Sequence, residues 1–166
     1  YIKATNFNFS IPSNAIIEGI VVNVERKVNS NSSGSNVTDA AVRIVKNGAI
    51  GSADRSTFSS YNLNDTNESH GSADDLWEEV WTAADINSND FGAAVAVQKA
   101  NNASSNRTVG IDNIGITVYY GLPAPKLTVT KVVINDDGGN NVVGDFPLFV
   151  NGSAVASGVQ NTFESG

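Results

Sequence analysis

The 166-residue chain has no cysteine. Disulfide staples and thiolate metal sites are excluded, though this does not locate the protein, because a large β-sandwich needs no staples. Histidine is nearly as scarce. His70 is the only one, and in "NESHGSADD" it reads as a solvated loop residue rather than a triad base or a metal ligand with Asp74 or Asp75. Charge is sparse at 16% of residues, and the ten Lys and Arg are scattered through a chain of net charge −7. A phosphate-binding face needs clustered cations, so nucleic acid and anionic membrane surfaces are poor partners. No run of 18 apolar residues is present, so no segment reads as a membrane-inserted helix. No signal-peptide pattern opens the chain, which reads as a mature or trimmed piece of something longer.

What is abundant is apolar residues, at 40%, together with 22 Asn, 18 Ser and 10 Thr. That balance describes a folded protein solubilised by amides and hydroxyls, a surface common outside the cell. The hydrophobic pattern is mostly period two, the signature of half-buried strands. In "NFNFS", Phe7 and Phe9 share a face. In "GIVVNVERKV", Ile20, Val22, Val24 and Val28 point one way while Asn23, Glu25 and Lys27 point out. "AAVRIVKNGAIG" runs into Asn47-Gly48, a hairpin signal because both central positions need φ > 0. "FGAAVAVQ" and "NIGITVYY" complete the set. Between them lie polar stretches predicted as loops, "NSNSSGSNVTD", "SSYNLNDTNESHGSADD" and "KANNASSNRT". The only helical turn predicted is "TAADI", with Thr82 capping Ala84 or Asp85. The fold class is therefore all-β, an antiparallel, jelly-roll-like sandwich.

"GLPAPK" predicts a boundary, since Pro123 and Pro125 stiffen the chain and cannot join a ladder. The organisation expected is a β-sandwich over 1–121, a linker over 122–126 and a partial β-domain over 127–166. In the last, "KLTVTKVVIN" and "DFPLFVNG" read as strands, "DDGGNN" and Asn151-Gly152 as turns. A piece of about 40 residues is near the lower limit for folding alone. It is expected to leave the apolar side of Phe146, Leu148 and Val150 without cover.

Eight Asn-X-Ser/Thr sequons mark Asn8, Asn31, Asn36, Asn64, Asn67, Asn102, Asn106 and Asn151 as N-glycosylation candidates. Composition alone gives roughly four. "SADDLWEEVW" sets Asp74, Asp75, Glu78 and Glu79 around Trp77 and Trp81. A sugar-handling site is one reading; Trp rings closing one end of the sandwich, with the acids in water, is the preferred one. Asp136 and Asp137 in "NDDGGNN" are weak calcium candidates without EF-hand spacing. No other cofactor is expected, nor an enzyme, since no acid–base pair or phosphate cradle can be assembled.

"FSIP", "DLW…WTAADIN" with its following "FG", and the closing "ITVYY" make residues 1–121 similar to a β-sandwich module of bacterial extracellular and phage-like structural proteins. That module usually begins with further strands before the equivalent of Tyr1. "LTVTKVVINDDGG…GDFPLFVNGSAV" resembles the first half of a prealbumin-like (Ig-like) domain of the B-type repeats in surface adhesins and pilins. In some relatives a strand Lys at the position of Lys131 forms an isopeptide bond; a plain strand-edge lysine is the simpler reading. Together the two resemble subunits of glycosylated extracellular fibrils.

The function these observations imply is a cell-surface structural subunit. It would form a homopolymer by β-strand complementation, with Leu127, Val129, Lys131 and Val133 on the inserting strand and "YIKATNFNF" as a second candidate. The alternative is a carbohydrate-binding or adhesive module, for which Tyr61, Trp77, Trp81, Tyr119 and Tyr120 are the available rings.

Overall fold

The computed structural model describes residues 1–29, 37–99, 107–157 and 160–162. The chain divides into two compact units, Tyr1–Leu122 and Pro123–Gly166.

The first unit is a sandwich of two antiparallel sheets, as the period-two pattern predicts. Its strands are β1 (Ile2–Thr5), β2 (Ile16–Val28), β3 (Val37–Lys46), β4 (Ala49–Ile50), β5 (Thr66–Ser72), β6 (Gly92–Lys99) and β7 (Val109–Gly121). One sheet runs β1-β6-β3-β4 and the other β5-β2-β7. Seven strands among the described residues are one fewer than a full jelly roll has.

β2 is the spine. Ile20, Val22 and Val24 are fully buried in one core with Val42, Ile44, Phe91, Ala93 and Val95, and Val28, also sealed, packs with Val37 and Tyr61 in a second cluster. Asn47 (φ 50) and Gly48 (φ 78) form the tight β3–β4 turn that the dipeptide predicts. Trp77 and Trp81 are buried in the same core, and their indole N–H groups donate to the Ile20 and Leu76 carbonyls at 2.9 Å. The rings thus close the sandwich and keep their one polar group satisfied. The helical turn α1 (Ala83–Asn87) starts where expected. Thr82 accepts from the Asp85 amide and Asp85 reaches back to the Thr82 amide, a reciprocal cap.

Three local expectations fail in this unit. "NFNFS" is not a strand: Asn6 and Asn8 have positive φ (66° and 57°), which breaks the ladder after Thr5. Phe7 and Phe9 still turn inward, and Phe9 meets Phe91 edge-on at 5.7 Å. The polar stretch 66–72 is not a loop but β5, pairing with β2 from Arg26↔Thr66 to Ile20↔Ser72. Residues 37–39 likewise open β3 rather than extend a loop.

The second unit has two small sheets. β8 (Lys126–Thr128) pairs with β11 (Gln160–Thr162), and β9 (Leu148–Val150) with β10 (Ser153–Val155) across the Asn151-Gly152 turn. "KLTVTKVVIN" is therefore a strand only over its first three residues. No described side chain of 123–157 is buried. Val132, Ile134 and Phe149 are 75%, 77% and 60% exposed.

Candidate functional site

The four sequons within the described residues all present exposed asparagines: Asn8, Asn64, Asn67 and Asn151. Asn67 stands on β5 rather than in a loop, and Asn8 on the irregular segment after β1. Asn31, Asn36, Asn102 and Asn106 lie outside the described residues. Asp136 and Asp137 sit beside a bend where Gly138 has φ 80° and Asn135 donates to the Asn141 carbonyl at 2.8 Å. No group of three His, Asp or Glu that could hold a metal occurs among the described residues.

The acids around the tryptophans are not all left in water. Arg55 grips Asp75 with two N–H groups at 2.6 and 3.1 Å and lies 3.5 Å from Glu78. The Arg55 bonds hold the Asp75 carboxyl below the usual range, helped by the Trp77 amide. Glu79 pairs with Lys46 at 3.5 Å. These are structural clamps on the Trp-bearing loop, with no open acid pair. Of the five rings available for stacking on sugar, Tyr61, Trp77 and Trp81 are buried, while Tyr119 and Tyr120 are about 41% and 43% exposed.

His70 is not a solvated loop residue. It is buried on β5 inside a polar cluster that the pattern reading passed over. Arg26 occupies the one cationic position on the inward face of β2 and is 2% exposed. It pairs with Asp39, reaches Glu68 at 3.4 Å and lies over the Tyr61 ring at 4.4 Å. The Tyr61 hydroxyl donates to Asp39 at 2.8 Å. Burial and that bond to a carboxylate push the Tyr61 hydroxyl's pKa well up. His70 Nδ1 donates to the Arg55 carbonyl at 2.9 Å, and Nε2 lies 3.9 Å from Asp39. The cluster bridges the two sheets, with Arg26 on β2 and His70 on β5 meeting Asp39 on β3, and Tyr61 from the segment before β5 covers it. Its sequence signal is the lone cation at an inward register position, Arg26, between Val24 and Val28.

The surface feature with functional geometry is a groove between the two edge strands β1 and β7. β7 pairs only with β2, so its other edge carries no strand among the described residues. Its inward side chains Val109, Ile111, Ile114, Ile116 and Val118 stay half-buried, whereas their β2 neighbours are sealed. Three open clefts of about 380, 360 and 380 Å³ follow this edge from Arg107 to Ile114. They join through shared walls, Val97 and Val109 between the first two, Ile2 and Ile111 between the next two. The opposite lip is β1 with the residue before it, where Tyr1 and Ile2 are 64% and 54% exposed. β1 itself is already paired, Ile2↔Val95 to Thr5↔Gly92, so "YIKATNFNF" is in use within its own chain.

No family model, no curated protein and no solved structure matches the chain.

Proposed function

We propose that the protein is a structural subunit of an extracellular fibril that assembles head-to-tail by lending β-strand cover from one copy to the next. The observation that carries this reading is that no core forms among the described side chains of the second unit. Its described residues include no buried side chain, and Val132, Ile134 and Phe149 stand in solvent. Apolar surface of this kind is stabilised only when another surface removes it from water, at about 25 cal/mol per Å². Two-stranded sheets also leave backbone donors and acceptors open on their outer edges, which a neighbouring chain can satisfy. A head-to-tail contact between unlike surfaces yields an open filament when the rotation from copy to copy does not close a ring. Exposed sequons at Asn8, Asn64, Asn67 and Asn151 would carry a sugar coat. Sedimentation velocity and negative-stain imaging of the full chain across a concentration series test the reading. Rod-like polymers growing with concentration support it; a monomer at every concentration overturns it. Peptide mass spectra of native material test the sugars.

A second reading, a carbohydrate-binding or adhesive module, is left with Tyr119 and Tyr120 as exposed rings. Glycan-array binding lost on replacing both by Ala would favour it.

A further inference from the structure

We propose that Asn151 modifies itself: the Gly152 backbone nitrogen displaces its side-chain amide and leaves aspartate or isoaspartate, while the same dipeptide at Asn47-Gly48 is held unreactive. Asn151 does so whether or not copies of the chain polymerise.

Asn-Gly occurs twice in the sequence, and both copies sit in two-residue turns of nearly equal backbone. Asn47 and Gly48 have φ of 50° and 78°, and Asn151 and Gly152 have φ of 49° and 84°. A glycine after the asparagine puts no Cβ beside the amide nitrogen, so that nitrogen can reach the asparagine side chain. Dipeptide and turn are therefore matched, and the surroundings differ.

At Asn47-Gly48 both reacting groups are occupied. The Gly48 N–H, the nucleophile, donates to the Asp90 carbonyl at 3.1 Å. The Asn47 side chain hydrogen-bonds the Asp85 carboxylate. The Lys3 ammonium donates to the Gly48 carbonyl at 3.2 Å and ties the turn to β1. At Asn151-Gly152 the turn joins three residue pairs, Val150↔Ser153 to Leu148↔Val155, and none of these residues is buried. A two-stranded hairpin of this size is marginal by itself. A Cβ added to Gly152 would meet nothing among the described residues within 4 Å, so the side chain has room to swing onto the amide. Asn47 is exposed as Asn151 is, and access to water does not separate the two sites.

The Gly152 nitrogen gives its proton to solvent and bonds to Asn151 Cγ. The Cγ–Nδ2 bond breaks, ammonia leaves and a five-membered imide remains. Water opens that ring at either carbonyl, giving aspartate or, with the main chain routed through the side chain, isoaspartate. The sum is amide plus water to carboxylic acid plus ammonia. Asn151 also heads the sequon Asn151-Gly152-Ser153. The nitrogen lost is the one that would carry a sugar, so glycosylation and this conversion exclude each other at one residue.

The test incubates the full chain in mildly alkaline buffer and follows both dipeptides by peptide mass spectra, with isoaspartyl methyltransferase labelling the isoaspartate. Asn151 is expected to convert about tenfold faster than Asn47, the factor that two ordinary hydrogen bonds amount to. In concentrated urea the two should convert at similar rates. Asp85→Ala, assayed below its melting range, should speed Asn47 and leave Asn151 unchanged. Equal rates in the folded chain, or an Asn151 that stays intact, overturn the proposal. A difference that persists in urea overturns it too, since flanking sequence and not the fold would then set the rates.

Discussion

At the residue scale the most informative side chain is Arg26. Its carboxylate partner Asp39 is fully buried between it, Tyr61 and His70. Removing one member of such a group strands the others without water. Asp39→Ala is expected to cost about 3–5 kcal/mol in urea unfolding. Arg26→Met/Asp39→Leu should be less destabilised than the sum of its single variants by about 1–3 kcal/mol, which a double-mutant cycle reads directly. Lys27, next along β2, serves as the contrast. It stands in solvent with Asp65 at 2.9 Å and Asp112 at 3.2 Å, and Lys27→Ala should shift the melting temperature little. Adjacent cations on one strand thus differ in consequence through period two alone. That is why Arg26 was legible in position but not in role: alternation says it points inward, and only the fold brings Asp39, Glu68 and Tyr61 to meet it.

At the element scale, legibility followed burial. β2, β3, β6 and β7 were readable because each sets apolar residues at every second position against a core. β5 was not, since its inward position holds His70 and its sequence, "TNESHGS", has the composition of a loop. It is a strand because β2 beside it supplies a ladder. The "NFNFS" segment errs the other way: its alternation is real, but Asn6 and Asn8 adopt the left-handed backbone that asparagine tolerates, so inward phenylalanines come without a ladder. Residues 129–134 have strand pattern and no partner strand among the described residues, and pattern alone does not make a sheet. Two elements can be tested singly. A Cβ at Gly92 would lie 1.9 Å from the Ala4 carbonyl oxygen, so Gly92→Ala is expected to push β1 off β6 and cost about 1–3 kcal/mol in thermal unfolding. Thr82→Ala removes the cap of α1 and should cost about 1 kcal/mol in the same assay.

At the scale of the whole molecule, acid stability follows from a few held carboxylates. Asp75, through Arg55, and Asp85, through Thr82, titrate below their ordinary range. Burial alone would raise Asp54, but the Ser56 and Val42 amides outweigh it and lower it too. A group whose folded-state pKa is depressed contributes stability above its ordinary value and loses it as pH falls through the folded one. The melting temperature is therefore expected to hold from pH 7 to about 5 and to drop below about 4, with Arg55→Met lessening the acid-side loss. The candidate site was half legible. The half-buried apolar residues of β7 stood out by alternation, while the groove beside them did not, because an open edge is a property of sheet order and no single segment encodes it. The central place of β2 also sets a clock. Flanked by β5 and β7 and sealed on its inner face, it should surrender its amide protons to deuterium last, and residues 129–134 first.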